Sequence, residues 1–182
     1  GLDMGAAFNA EAELKMADMF DICHGGGLDL CALGLAEIDA MGNVNVSKFH
    51  GRVTGPGGFI DLAQHTKKLI LMGTFTAGGL REHCEGGRLV IDREGKYQKF
   101  KTDIEQVTFS GDYAAAHGQH VLVVTERAVF RLTPQGLMLT EIAPGVDLER
   151  DILGHMEFRP LIADDLQLMD GRIFQPDPMG LS

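Results

Sequence analysis

Cysteines and long apolar runs are both scarce in this sequence of 182 residues. The three cysteines, Cys23, Cys31 and Cys84, are odd in number and lack C-x-x-C spacing, so they predict neither a disulfide framework nor a zinc site. Sparse cysteine of this kind favours a reducing, cytoplasmic location. No run of about 18 apolar residues occurs, which argues against a membrane-spanning helix.

Basic residues are also few. The chain has 16 Lys and Arg against 26 Asp and Glu, for a formal net charge of −10. Binding to a nucleic-acid backbone requires clustered cations, and Lys67-Lys68 is the only adjacent basic pair. We therefore expect neither a nucleic acid nor a membrane as a partner.

The common catalytic and metal-binding motifs are missing as well. There is no H-E-x-x-H pair and no G-x-S-x-G turn. His83 and His155 each begin an H-x-E triplet, but no P-C-x-x-C follows to complete a deaminase-type zinc site. Glu126-Arg127 is interpreted as a turn whose local ion pair is worth less than about 1 kcal/mol. The residues alone identify no catalytic group and no metal ligand.

Glycine is abundant, with 24 residues, and three clusters lie at the edges of apolar runs. The first contains Gly25 and Gly26, the second is the loop 54–61 with Gly57 and Gly58, and the third spans 76–79. Glycine permits a positive φ and a close approach of the backbone to a ligand. Each cluster alone is typical of a tight turn, but together they predict a ligand cleft at one edge of a sheet.

The hydrophobic content of 45% fits a single domain with its own core. A helix is expected over 59–65, and the continuous apolar run 68–75 predicts a parallel strand covered on both faces. A hairpin is expected around Gly42-Asn43, with 44–47 as its returning strand. Residues 147–156 predict a helix with Asp147 as its N-cap. Further strands are predicted at 19–23, 88–92, 100–104, 106–109, 120–125, 128–132 and 137–142. We expect one α/β domain with a mixed sheet whose second half is antiparallel.

Six ordered motifs resemble the C-terminal, beta-type half of family I CoA-transferases, of the acetate, propionate and 3-oxoacid type. They are 20–30 (FDICHGGGLDL), 42–47 (GNVNVS), 55–61 (GPGGFID), 73–79 (GTFTAGG), 125–130 (TERAVF) and 141–145 (EIAPG). The resemblance covers essentially the whole chain. It implies the three-layer α/β, isomerase-like fold of that family and ping-pong transfer of CoA between carboxylic acids, through a glutamyl-CoA thioester.

The resemblance also implies a site. Gly57 and Gly58 match the loop that supplies oxyanion donors near the CoA thioester, and the cleft would be lined by Gly25, Gly26, Phe59, Thr74, Thr76 and Gly78. CoA would be a substrate; no permanently bound cofactor and no metal are implied. The expected partners are the alpha half of the enzyme, on the same or a separate chain, and further copies of the protein in a homo-oligomer.

One family feature has no match here. The nucleophilic glutamate belongs to an E-x-G motif expected upstream of Gly1, and Glu85-Gly86-Gly87 has that spelling but falls after the glycine loop. We therefore interpret residues 1–182 as a beta-type domain without the catalytic glutamate or the alpha half. A non-catalytic module that binds acyl-CoA or another small ligand on the same fold is the alternative.

Overall fold

The computed structural model describes residues 9–181, which form an α/β domain around one mixed sheet. Its three α-helices are α1 (Met16–Ile22), α2 (Phe59–Ala63) and α3 (Gly111–Ala116). The strands, in chain order, are β1 (Leu30–Gly34), β2 (Glu37–Ile38), β3 (Val44–Asn45), β4 (Lys48–Phe49), β5 (Arg52–Val53), β6 (Lys68–Met72), β7 (Thr76–Ala77), β8 (Arg81–Glu85), β9 (Arg88–Arg93), β10 (Tyr97–Gln98), β11 (His120–Val124), β12 (Ala128–Thr133), β13 (Gly136–Ile142) and β14 (Leu161–Leu168). No helix within residues 9–181 is long and apolar enough to cross a membrane.

The main sheet has six strands in the order β1-β6-β11-β12-β13-β14. Strand β6 lies between β1 and β11 and is parallel to both, as its apolar run predicts. Leu69 and Leu71 point to one face and are fully buried, whereas Met72 on the other face is 48% exposed. The chain therefore covers one face of this strand well and the other only in part.

The second half of the sheet is antiparallel from β11 through β13, which confirms the prediction for that region. Strand β14 was not expected; it pairs parallel to β13 at the edge of the sheet. The strands predicted at 100–104 and 106–109 were wrong. In their place Phe100 and Phe109 each make a single bridge, to Ile38 and Val44 respectively. Both phenylalanines are buried in the core, so their apolar character serves packing without a ladder.

The predicted strand at 19–23 was also wrong, because these residues belong to α1 and to the π-helical turn Cys23–Gly27 that follows it. Met16, Met19 and Cys23 are separated by three and four residues, which is the spacing of one helix face. Helix α1 contains no buried residue. By contrast, β2 and β3 form the expected hairpin around Gly42-Asn43.

The predicted helical segment after Asp147 is present as a π-helical turn (Leu148–Ile152) followed by a 3₁₀ turn (Leu153–His155). The Asp147 side chain caps it by accepting a hydrogen bond of 2.7 Å from the Arg150 backbone N–H. Ile152 is fully buried, so the segment is held against the core.

Replacing Asp147 with alanine should lower the free energy of unfolding by about 1 kcal/mol, because the N–H of Arg150 loses its acceptor. Urea denaturation measures this difference. Asp164→Ala is the matched control: Asp164 is exposed, and its side chain makes no hydrogen bond within residues 9–181. Equal stability of the two variants would contradict the capping role.

Candidate functional site

The carboxyl ends of the three parallel strands meet at one edge of the sheet. The strands β1, β6 and β11 are followed by Leu35, Gly73 and Thr125. The hydrogen-bond ladder continues past the strand ends. The Leu35 N–H donates to the Met72 carbonyl (2.7 Å), and the Gly73 N–H donates to the Val124 carbonyl (3.2 Å). Ligands of open α/β sheets bind at this edge. A ligand site is therefore expected at this edge.

Two hollows open there. A smaller one of about 380 Å³ lies directly on the strand ends, between residues 72–74 and 124–126. A larger one of about 650 Å³ is lined by the loop after β1, the tip of the β4–β5 hairpin and the segment around β10, that is by Leu35, Ala36, Glu37, Phe49, His50, Ala77, Gly95, Lys96, Tyr97, Gln98, Lys99 and Lys101. We call this larger hollow the strand-end cavity. Its size is in the range of small-ligand sites.

Lys99 lies between the ends of β1 and β6. Its Nζ donates a 3.1 Å hydrogen bond to the Leu35 carbonyl. Burial lowers the pKa of Lys99, and the negative charge of Glu126 offsets this in part. Lys99 thus places a half-buried positive charge in the lining of the strand-end cavity, in a chain whose net charge is −10.

Glu126 and Arg127 form the predicted turn between β11 and β12 and the predicted local ion pair, but the burial of Arg127 corrects the expectation that this pair is weak. The Arg127 side chain is fully buried, and its guanidinium forms ion pairs with both Glu94 and Glu126. The Nε–Oε1 distance to Glu126 is 2.7 Å, and Nη1 also donates to the Asp151 carbonyl at 2.9 Å. The guanidinium carbon lies 5.0 Å from the centre of the Phe75 ring. An arginine with these contacts joins distant parts of the domain.

The carboxylates bound to Arg127 hold the segment after β6. Glu126 Oε2 accepts from the Phe75 N–H (2.8 Å), and Glu94 Oε2 accepts from the Thr76 hydroxyl (2.8 Å). Burial tends to raise the pKa of Glu94, but hydrogen bonds from Arg127 and Thr76 hold it below its usual value. The structure therefore places Thr76, expected as a cleft residue, in this network and fully buried.

Of the other residues expected in the cleft after β6, Thr74 lines the smaller hollow and is exposed. Gly78 has φ of +81°, and a Cβ there would lie 2.7 Å from the ring of Tyr97, which lines the strand-end cavity. The third glycine cluster therefore borders the strand-end cavity through Tyr97.

The loop with Gly57 and Gly58 follows β5 and leads into α2. Gly57 is exposed, has φ of +54°, and has open space where a Cβ would be. Gly58 has φ of −84°, and a Cβ there would lie 2.5 Å from the ring of Phe20 in α1. Within residues 9–181, the backbone N–H groups of Gly57 and Gly58 donate to no protein acceptor. Two free donors in an exposed loop can bind an oxyanion.

The first glycine cluster lies beside α2, the helix that follows this loop. Gly25 and Gly26 belong to the π-helical turn after α1, and that turn packs against α2. A Cβ at Gly26 would lie 3.8 Å from the carbonyl oxygen of His65. Phe59 begins α2 and packs, half-buried, against the core. The turn precedes β1 and lies beside the start of β6, where the Lys67 N–H donates to the Leu28 carbonyl. The first cluster is therefore at the amino ends of these parallel strands and the third is at their carboxyl ends, so the prediction that all three clusters lie at one edge of the sheet was wrong.

Sequence reasoning missed the strand-end cavity and its lysines. The available signal was charge: Lys96, Lys99 and Lys101 fall close together in a chain of net charge −10. Within residues 9–181, no group of three or more His, Cys, Asp or Glu side chains has the geometry to hold a metal ion.

No protein-family model matches the chain. Among curated proteins, it is 49% identical to the acetate CoA-transferase YdiF of Escherichia coli K12 over 180 residues, which are 99% of this chain and 34% of that protein. It is 46% identical to the caffeate CoA-transferase of Acetobacterium woodii, over 98% of this chain and 35% of the relative. The beta subunit of an E. coli K12 acetate CoA-transferase is 31% identical, over 88% of this chain and 64% of that subunit.

Solved structures give the same result. The apoenzyme of the acyl-CoA transferase YdiF from E. coli O157:H7 superposes with a TM-score of 0.94 at 49% identity, over 98% of this chain and 35% of that one. The same enzyme has also been solved as a thioester complex with CoA, with a TM-score of 0.92 over 96% of this chain and 34% of that one. Glutaconate CoA-transferase from Acidaminococcus fermentans, 22% identical, shares the fold with a TM-score of 0.57, over 82% of this chain and 54% of that one.

The chain spans about a third of the length of YdiF and the caffeate enzyme. Over that third the two alignments cover 99% and 98% of this chain, and the separate beta subunit aligns with 88% of it. The expected α/β fold with a mixed sheet is confirmed. The chain therefore belongs to the family I CoA-transferases and corresponds to their beta-type half.

Proposed function

We propose that this chain is the beta-type part of an enzyme that transfers CoA between a short-chain acyl-CoA and a carboxylic acid of the acetate, propionate or 3-oxoacid type. The observation that supports this most is the 49% identity to acetate CoA-transferase YdiF over nearly the whole chain. CoA acts as a substrate in this proposal, and no permanently bound cofactor takes part.

The reaction proceeds in two exchanges. A glutamate carboxylate attacks the acyl-CoA carbonyl, which gives a mixed anhydride and releases the CoA thiolate. The thiolate then attacks the glutamyl carbonyl, releases the first carboxylate and leaves a glutamyl-CoA thioester. The second acid reverses these steps. Covalent catalysis of this kind divides one difficult exchange into easier ones.

The chain's own contribution is the glycine loop. The N–H groups of Gly57 and Gly58 have no acceptor within residues 9–181 and are free to bind the oxyanion that forms at each carbonyl. We assign the lining of the cleft to Gly25, Gly26 and Phe59 beside this loop and to Thr74 and Gly78 at the strand ends. Thr76 acts by positioning, through Glu94.

The nucleophilic glutamate comes, in this proposal, from outside residues 1–182, and the alpha half supplies the opposite wall of the cleft. The greater length of YdiF and the caffeate enzyme leaves room for both. We also propose a homo-oligomer in the cytoplasm.

The test compares the complete protein with residues 1–182 alone. With acetyl-CoA and propionate, the complete protein should form propionyl-CoA, and mass spectrometry should detect a covalent CoA adduct on a glutamate. The isolated chain should do neither, because without the nucleophile the covalent route is absent. Sustained transfer by residues 1–182 would overturn the assignment of the glutamate. Acyl-CoA binding by the complete protein with neither transfer nor adduct would favour the non-catalytic binding module.

A further inference from the structure

We propose that Lys99 is the cationic anchor of the strand-end cavity, and that its ligand is the carboxylate of an organic acid whose apolar body is larger than that of acetate. The inference rests on the proposed function in one respect, namely that this acid is the substrate that receives or gives up CoA.

Lys99 has capacity to bind a ligand. An ammonium group has three donors, and Lys99 Nζ uses one of them on the Leu35 carbonyl at 3.1 Å. Within residues 9–181, no carboxylate lies within 4.0 Å of this nitrogen. Lys101, two residues further on, is already paired with Glu157. No carboxylate is bonded to this half-buried cation, and Glu126 offsets the cost of its burial only in part. An anionic ligand would lower that cost further.

The nearby carboxylates are occupied elsewhere. Glu126 is bound through Oε1 to Arg127 and through Oε2 to the Phe75 N–H. Glu37 lines the same cavity, but its Oε2 accepts a 2.7 Å hydrogen bond from the buried Asn45 side chain. These contacts hold both carboxylates in place, so the free donors of the Lys99 ammonium group are available to a ligand.

The backbone at Gly73 makes room for the ammonium group. A Cβ at Gly73 would lie 3.0 Å from Lys99 Nζ and 3.2 Å from the Leu35 carbonyl oxygen. Any side chain there would press on the group and on its acceptor. Glycine at this position therefore lets the end of β6 approach the nitrogen closely, at the sheet edge where ligands bind.

The residues that line the cavity indicate the chemical character of the rest of the ligand. Leu35, Phe49, Ala77 and Tyr97 provide apolar and aromatic surface, while Lys96 and His50 add positive or polar groups. With about 650 Å³, the cavity has room for far more than a two-carbon acid. An aliphatic or aromatic acid, with its carboxylate on Lys99 and its body against Phe49 and Tyr97, fits this surface.

The kinetic test uses the complete protein with 3-phenylpropionate as acceptor and acetyl-CoA as donor. Lys99→Met should raise KM for the acid about 10- to 100-fold, as expected for loss of a hydrogen bond to a charged group. KM for acetyl-CoA should change less than about 3-fold. Lys99→Arg should recover part of the loss, and Gly73→Ala should weaken acid binding by displacing the ammonium group. Lys68→Met, at an exposed lysine at the start of β6, is the matched control.

A binding measurement separates this inference from the proposed function. Titration calorimetry without CoA should show the protein binding 3-phenylpropionate at least about 10-fold more tightly than neutral 3-phenylpropanol, and Lys99→Met should abolish that preference. If the preference depends on Lys99 but no CoA transfer occurs, the proposed function fails and the anchor stands. If transfer occurs but Lys99→Met leaves both KM and affinity for the acid within about 2-fold, the anchor is wrong. A rise in KM for acetyl-CoA alone would also overturn it, because Lys99 would then bind CoA.

Discussion

Replacing Gly57 with valine in the complete protein is expected to lower kcat about 100- to 1000-fold, the usual loss when one oxyanion donor is removed. Gly57 has φ of +54°, a conformation that a β-branched residue does not adopt without strain. The loop would relax, and the free N–H groups of Gly57 and Gly58 would turn away from the reacting carbonyl. Steady-state kinetics with acetyl-CoA and propionate measure the effect.

Gly118→Val is the matched control for this experiment. Gly118 also has a positive φ, of +67°, and open space at its Cβ position, but it lies in the loop after α3. Both variants carry the same backbone strain, so they should lose similar stability, of about 1 to 2 kcal/mol. Only Gly57→Val should lose turnover. Near-normal kcat in that variant would show that the glycine loop is an ordinary turn.

The structure distinguishes Gly57 from Gly58 as positions for substitution. The sequence suggests that glycines in this loop supply positive φ, and the structure shows this at Gly57 but not at Gly58, where φ is −84°. At Gly58 the constraint is the ring of Phe20, which would lie 2.5 Å from a Cβ at that position. Valine at Gly58 would therefore displace α1 as well as the loop, which makes Gly57 the cleaner position to test.

Features set by neighbouring residues could be predicted from the sequence. The β2–β3 hairpin follows from the turn at Gly42-Asn43, the cap at Asp147 from its position before an apolar face, and β6 from its continuous apolar run. The strand predicted at 19–23 shows where this reasoning fails, because a short apolar run has no periodicity that separates strand from helix.

Features that depend on distant contacts could not be predicted. Arg127 and Glu94 are 33 residues apart in the sequence, and nothing local marks them as partners. The strand-end cavity combines the loop after β1, a hairpin tip and the segment around β10. The clustering of Lys96, Lys99 and Lys101 is visible in the sequence, but only the fold shows that Lys99 lies at the ends of β1 and β6.

The Arg127 network leads to the second large effect, which is on stability. Arg127→Met removes the cation shared by Glu94 and Glu126; within residues 9–181, Glu94 keeps only the His155 ring, whose Nε2 lies 3.5 Å from Oε1. Breaking a buried ion pair from one side costs about 3 to 5 kcal/mol. The side chains of Glu94 and Glu126 retain 24% and 15% exposure, so we expect the lower end of that range. A turn with an exposed ion pair, as the sequence alone suggests, would cost under about 1 kcal/mol.

Urea denaturation of the complete protein measures this loss, with Arg131→Met as the matched control, since Arg131 lies on the same strand β12 but is exposed. Adding Glu94→Gln to Arg127→Met should restore part of the stability, because the amide needs no counter-ion at that position.

The single variant Arg127→Met also affects the site. Without Arg127, the carboxylates of Glu94 and Glu126 no longer hold Thr76 and the Phe75 N–H in place. The segment after β6 should therefore show faster amide hydrogen exchange. A loss below about 1 kcal/mol together with unchanged exchange at residues 74–79 would mean that the network neither stabilises the domain nor positions the strand ends.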